Sequence, residues 1–88
     1  MQTRKVVITN PTGLGVEAAG QLCRIAVDFK CVIELKKDTY TANAKSVLSV
    51  LGAGIQSGEE LELTTMGVDE NEAIEKVAAF IAGGNGSI

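Results

Sequence analysis

The sequence predicts an α+β fold in which four strands form one antiparallel sheet and three helices cover one of its faces. Three observations predict this fold: the elements read βαββαβα, the strands alternate apolar and polar side chains, and the second and third strands are joined by a tight hairpin. A chain of 88 residues has room for one domain. We assign that domain to residues 1–82 and predict a flexible, glycine-rich tail over residues 83–88.

The first strand and the first helix are separated by a strong turn signal. Lys5–Thr9 is rich in β-branched residues, which predicts a strand, and the turn sequence Asn-Pro-Thr-Gly follows at residues 10–13. From Val16 onward apolar residues recur every three or four positions, which predicts a helix. The buried stripe of this helix is Ala19, Leu22, Cys23, Ala26 and Phe29.

The second and third strands form the predicted hairpin. Apolar residues at positions 31, 33 and 35 predict a half-buried second strand, and residues 37–39 connect it to a short third strand at Tyr40–Asn43. Cys23 and Cys31 both fall on buried stripes, which favours buried inert thiols over a redox pair. Their spacing of eight residues also matches no zinc-binding or redox motif.

Two further helices and one strand complete the predicted fold. Ser46 is expected to be the N-cap of a short helix that Gly52 and Gly54 end. A fourth strand is predicted at Glu59–Met66, and the last helix begins at a sequence that resembles a capping box with Asp69 as the N-cap. The inward-facing residues are Leu61, Leu63 and Thr65 in the strand and Ile74, Val77, Ala78 and Ile81 in the helix.

Charge and composition exclude several classes of function. The net charge of −3 gives no basic surface for nucleic acid or anionic lipid. The chain contains no histidine, which excludes imidazole acid–base catalysis, histidine metal ligation and phosphohistidine chemistry, and we identify no metal or cofactor site. The apolar run at residues 6–8 is far shorter than the about 7–15 residues of a signal-peptide core or the about 20 of a membrane span. We therefore expect a cytoplasmic protein that does not insert into membranes.

A glycine-rich pattern precedes the first helix. Gly13, Gly15 and Ala18 satisfy G-x-G-x-x-A between a strand and a helix, as in dinucleotide-binding sites. A dinucleotide fold needs several parallel strands, whereas the second and third strands here form a hairpin. We interpret the pattern as a plain strand-to-helix turn and keep a small nucleotide-binding domain as a distant alternative.

Other local features have both a structural and a functional interpretation. Ser46 satisfies a backbone N–H as an N-cap, and the same helix end would also tolerate a phosphate. Gly15 and Glu17 are favourable first residues of a helix. An apolar set on the short helix forms either a partner-docking patch together with the first helix or a small packed cluster, and the sequence favours neither. The set comprises Val47, Leu48 and Leu51.

Over nearly its whole length the sequence resembles HPr, the small histidine phosphocarrier of the phosphoenolpyruvate-dependent sugar phosphotransferase system. The most specific stretches are residues 6–14, residues 42–46 and residues 67–70 at the start of the last helix. Element order, length and spacing agree without a gap. The resemblance implies an HPr-like open-faced β-sandwich with strand order 1-4-2-3.

The sequence departs from this family at the active-site stretch. HPr proteins read Gly-Leu-His-x-Arg-Pro-Ala, and residues 13–19 read Gly-Leu-Gly-Val-Glu-Ala-Ala. Gly15 takes the place of the phosphate-accepting histidine, Glu17 that of the arginine and Ala18 that of the proline. We therefore assign no catalytic residue, and the resemblance implies a non-catalytic HPr homologue.

The regulatory site of the family is retained. Ser46, after Lys45, matches the serine that HPr kinase/phosphorylase phosphorylates in many Gram-positive-type bacteria. The Crh subgroup of catabolite-repression HPr-like proteins is similar, since it also lacks the histidine, keeps the serine and acts as a corepressor. The resemblance implies a docking face for protein partners, which we define as Glu17, Gly20, Gln21, Arg24, Lys45, Val47, Leu48 and Leu51.

The resemblance thus implies a regulatory protein-binding module of carbon catabolite control, switched by phosphorylation of Ser46. Expected partners are HPr kinase/phosphorylase and a transcriptional regulator or phosphotransferase-system enzyme. Repulsion between Glu17 and a phosphate on Ser46 would be about 1 kcal/mol or less at about 8–10 Å, which alters partner choice without forbidding phosphorylation. The alternatives are an unmodified interaction or decoy module and a phosphocarrier with a non-histidine acceptor.

Overall fold

The four strands form one antiparallel sheet in the order β1-β4-β2-β3, with the helices on one face, so the predicted fold class and strand order are confirmed. The computed structural model describes residues 1–84. Its elements are β1 (Gln2–Val7), α1 (Val16–Ala26), β2 (Val32–Lys37), β3 (Tyr40–Asn43), α2 (Val47–Gly52), β4 (Glu60–Met66) and α3 (Glu70–Ala79), followed by a π-helical turn at Phe80–Gly84.

The central strand β4 sets which side chains enter the core. Leu63 is opposite Leu35 of β2, and Leu61 is opposite Val6 of β1. Because side chains alternate along a strand, this register places Leu61, Leu63 and Thr65 beneath the helices, and all three are buried as predicted. The buried Thr65 hydroxyl donates a hydrogen bond to the Glu70 carbonyl at 2.9 Å, which ties β4 to the start of α3.

The first strand begins and ends earlier than predicted. The prediction was Lys5–Thr9, whereas β1 spans Gln2–Val7. Residues 2–5 are exposed in an edge strand, so they carry no apolar run that a sequence pattern could detect. Beyond Val7, the Ile8 N–H donates to the Glu59 carbonyl at 2.9 Å, and this bond belongs to the loop that precedes β4.

The C-terminal end of the predicted domain is described as far as residue 84. Ile81 is buried and lies in the π-helical turn that continues α3. Gly83 and Gly84, assigned to the tail, belong to the same turn. Residues 85–88 lie outside the described residues, and the predicted tail stays a prediction.

The capping box predicted for α3 is wrong in its central contact. Asp69 is the N-cap, but its side chain accepts no hydrogen bond from α3. Its carboxylate instead accepts the backbone N–H groups of Lys30 and Cys31, at 2.8 Å and 2.9 Å. These two N–H groups lie between α1 and β2 and both donate to the Asp69 carboxylate. This tertiary contact replaces the predicted side-chain cap of α3. It also explains why β2 starts at Val32 and not at Cys31.

These N–H donors make the fold sensitive to acid. Donation from Lys30 is the main cause that lowers the pKa of Asp69 below its ordinary value. The stabilisation is therefore present above the unfolded pKa of about 3.9 and is lost as the pH falls through the lower folded pKa. We expect the stability difference between the wild-type chain and Asp69→Asn to be constant above about pH 4 and to shrink below it.

Urea unfolding followed by circular dichroism between pH 2 and pH 7 measures this difference. Glu59, Glu70 and Glu75 also have lowered pKa values, but they titrate equally in both proteins and cancel. Parallel pH profiles for the two proteins would contradict the assignment.

Candidate functional site

The start of α1, at Gly15, is not crowded by neighbouring atoms. Gly15 is the N-cap, with extended backbone (φ −79°, ψ −166°) and no side-chain cap. A Cβ placed on Gly15 would meet only the Thr12 carbonyl oxygen, at 3.8 Å. Glu17 is exposed in the first turn, and the preceding Val16 is 75% exposed. The backbone at Gly15 therefore has room for a larger side chain.

Gly13 has a structural function in the loop before α1. Its φ is +68°, and a Cβ there would lie 2.6 Å from the Ile55 carbonyl oxygen. The next residue, Leu14, donates its N–H to that same oxygen at 2.9 Å. The glycine thus lets two backbones approach closely, which supports the interpretation of the G-x-G-x-x-A pattern as a turn.

Ser46 is the N-cap of α2, as predicted. Its backbone is extended (φ −124°, ψ 115°), and its Oγ accepts the Ser49 N–H at 3.2 Å. The Ser49 hydroxyl accepts the Asn43 N–H at 2.8 Å, and the Tyr40 hydroxyl donates to the Ser49 carbonyl at 3.1 Å. These contacts anchor α2 to β3 and fix the position of Ser46.

Helices α1 and α2 run in opposite directions. At the start of α2, the Cys23 thiol donates to the Lys45 carbonyl at 3.1 Å, and the Lys45 ammonium donates to the Phe29 carbonyl at 2.6 Å. The loop after α2 returns to the beginning of α1 through the bond between Leu14 and Ile55. Ser46 therefore lies beside the second half of α1, and Gly15 and Glu17 lie at the other end.

The docking face is divided between exposed and packed side chains. Leu48 is 81% exposed, whereas Val47 and Leu51 are partly buried and pack against the core. The packing of Val47 and Leu51 fits the packed-cluster interpretation, and the exposure of Leu48 leaves only this residue for the predicted docking patch, which stays a prediction. On α1, the side chains of Glu17, Gln21 and Arg24 are exposed, and Gly20 is half-buried.

The two cysteines have different surroundings. Cys31 is buried, as predicted, and burial, followed by its hydrogen bond with Asp69, raises the pKa of its thiol. Cys23 is only partly buried because it lies at the edge of the contact between α1 and α2. Both are free thiols.

The contact between Lys45 and Phe29 is the main feature of the site that the sequence did not predict. Nothing in the spacing of the two residues, 16 positions apart, signals that they meet.

Among residues 1–84, no helix is long and apolar enough to cross a lipid bilayer.

A four-stranded sheet with strand order 1-4-2-3 and helices on one face, bearing two helix starts on neighbouring helices, defines the class of small open-faced HPr-like proteins. The family profile described as "PTS HPr component phosphorylation site" matches residues 2–83. The chain therefore belongs to the HPr family. HPr proteins are phosphocarriers and are not themselves enzymes.

Individual relatives agree with this assignment. The chain is 35% identical over 81 residues to the HPr-like protein Crh of Bacillus subtilis, covering 92% of this chain and 95% of Crh. It is 32% identical over 81 residues to the phosphocarrier protein HPr of Lysinibacillus sphaericus, covering 92% of each. The crystal structure of HPr-C-His from Thermoanaerobacter tengcongensis superposes with a TM-score of 0.92 at 31% identity, covering 98% of this chain and 97% of that one.

Proposed function

We propose that this chain is a regulatory member of the HPr family that does not carry phosphoryl groups on histidine and acts by binding proteins. One observation carries the proposal: an HPr-family chain of 88 residues contains no histidine. The phosphocarrier reaction of the family requires an imidazole that this chain lacks. No catalytic residue is assigned.

Both the acceptor and the charge beside it are changed at the start of α1. The resemblance aligns Gly15 with the family's histidine and Glu17 with its arginine. The backbone of Gly15 is extended and unobstructed, so the position retains the room for a side chain. The docking face beside it keeps exposed groups on both helices, which supports a role in protein binding.

Ser46 is the proposed switch. Its hydroxyl oxygen accepts one hydrogen bond, so its proton is not needed for that bond and is free to leave. In the proposed reaction, the γ-phosphoryl group of ATP moves to Oγ of Ser46, ADP leaves, and the hydroxyl proton passes to a base of the HPr kinase/phosphorylase. The relative Crh, described as the Bacillus subtilis catabolite repression HPr, supports a place in carbon catabolite regulation. We propose a cytoplasmic location and, from the family resemblance, a transcriptional regulator or a phosphotransferase-system enzyme as the partner.

Serine labelling tests this switch. With ATP and HPr kinase/phosphorylase, we expect the wild-type chain to take up about one phosphate and Ser46→Ala to take up none. Loss of the N-cap also costs Ser46→Ala about 1 kcal/mol of stability, so labelling is done well below its melting temperature. Mass spectrometry of the intact chain gives the readout.

Ser57→Ala is the matched control, because Ser57 is an exposed serine outside α2 and its loss is expected to leave labelling unchanged. An unlabelled wild-type chain would disprove the switch. If such a chain still bound its partner equally as Ser46→Ala and Ser46→Asp, the unmodified interaction module would be the better description.

A further inference from the structure

Arg24 is a cation without a partner among residues 1–84. It lies in the last turn of α1 and is exposed. The ion pairs within residues 1–84 join Glu70 to the N-terminus, Arg4 to Glu75 and Lys37 to Glu59, and none involves Arg24. No side-chain hydrogen bond of Arg24 is formed within the same residues either. Its guanidinium is therefore available to an incoming anion.

Lys45, the neighbour of Ser46 in sequence, is in the opposite situation. Its ammonium donates to the Phe29 carbonyl at 2.6 Å, and the side chain is partly buried. Moving this ammonium to a phosphate on Ser46 would leave the Phe29 carbonyl, in the loop between α1 and β2, without its donor. The ammonium of Lys45, the cation nearest to Ser46 in sequence, is thus already used in a hydrogen bond within the fold.

The direction of α2 decides which charge of α1 lies closest to Ser46. The carbonyl of Lys45 contacts the thiol of Cys23, so Ser46 follows at the level of Cys23 and Arg24. Glu17 precedes Cys23 by six residues, which corresponds to about 9 Å along the helix axis. Asp28 lies four residues after Arg24, two residues beyond the end of α1 at Ala26, and is the carboxylate that competes with a phosphate for the guanidinium.

We propose that Arg24 binds the phosphate of phosphorylated Ser46 and thereby joins α1 to α2 across the docking face. This inference rests on the proposed modification of Ser46. A phosphoserine carries about −1.5 to −2 charges at neutral pH, and a guanidinium binds phosphate oxygens through two parallel N–H donors. The docking face carries Glu17, Arg24 and Lys45, with a formal charge of +1, and the phosphate changes this charge to about −0.5 to −1. Phosphorylation therefore changes the face from one of mixed charge to an acidic one, which suits a partner with basic residues.

A chemically phosphorylated chain tests this pairing without a kinase. Ligation of segments 1–30 and 31–88 at Cys31 places phosphoserine at position 46 in the full chain. We expect a ³¹P NMR titration to give a phosphate pKa that is about 0.5 units lower in the wild-type chain than in Arg24→Gln, because the guanidinium favours the dianion. Raising the salt concentration to about 1 M is expected to remove most of this difference, since the pair is exposed.

Lys45→Gln is the matched control and is expected to leave the phosphate pKa unchanged. Equal pKa values in the wild-type chain and Arg24→Gln would overturn the proposal, as would a shift lost in Lys45→Gln and kept in Arg24→Gln. Because the phosphate is installed chemically, either result is independent of whether a kinase modifies Ser46. A failed labelling experiment with an intact ³¹P shift would disprove the proposed switch at Ser46 and leave the pairing standing.

Discussion

The double variant Gly15→His, Glu17→Arg is expected to accept a phosphoryl group from phosphoenolpyruvate through enzyme I, whereas the wild-type chain accepts none. The backbone at Gly15 is extended, a conformation that any residue adopts, and a Cβ there would meet only one atom at 3.8 Å. The new imidazole would stand before the free N–H groups of α1, which favour an anion. Replacing Glu17 by arginine turns repulsion of the phosphoryl oxygens into attraction.

The expected change is from no label to nearly one acid-labile phosphate per chain, measured with radiolabelled phosphoenolpyruvate and enzyme I. The single variant Gly15→His is expected to react about tenfold more slowly, since a nearby carboxylate costs roughly 1.4 kcal/mol in the transition state. Gly20→His is a matched control on the same helix, because a Cβ at Gly20 has no atom within 4 Å and the variant should fold. We expect no label on it.

A folded double variant without label would show that more than the acceptor and its charge has been lost at this site. A labelled wild-type chain would disprove the proposed loss of the phosphocarrier reaction and favour a non-histidine acceptor. Circular dichroism and thermal melting of each variant establish that folding is not the cause of a negative result.

Gly13→Ala is expected to have the largest effect on stability, about 2–4 kcal/mol. A non-glycine residue at its φ of +68° is strained. The added methyl would also lie 2.6 Å from the Ile55 carbonyl oxygen and 2.8 Å from the Gln56 Cα, which are backbone atoms that cannot rotate away. The bond between Leu14 and Ile55, which closes the end of the docking face, would weaken with it.

Urea unfolding at neutral pH measures this loss. Gly54→Ala separates its two causes, because Gly54 has a similar φ of +61° but no atom within 4 Å of a Cβ. That variant is expected to lose only about 1 kcal/mol, from the backbone alone. Equal losses in the two variants would contradict the close approach at Gly13.

The accuracy of the sequence predictions follows the range of the interactions behind them. The alternation in β4 predicted its buried face because a strand exposes alternate side chains to one environment. The N-cap at Ser46 was predictable because its partner, Ser49, is three residues away. The same reasoning failed at Asp69, where the local cap competes with two N–H donors 38 and 39 residues distant.

The same distinction between local and long-range interactions applies to the predictions for the candidate site. The family resemblance aligned Ser46 with the family's regulatory serine, a role that stays a proposal, and Gly15 with its histidine, and a direct count established that no histidine is present. The sequence left the apolar set on α2 undecided, because a six-residue helix is too short for periodicity to separate Leu48 from Val47 and Leu51.

By itself, then, the sequence determined the type of each element, the faces of its strands and the absence of the family's phosphate acceptor, since these depend on neighbours along the chain or on composition alone. The tertiary structure decided where β1 begins, what Asp69 binds, and that Lys45 is committed to Phe29 while Arg24 is unpaired within residues 1–84. Hydrogen bonds and charges act through space, and only the direction in which α2 returns along α1 brings the Lys45 carbonyl, next to Ser46, against the thiol of Cys23, next to Arg24.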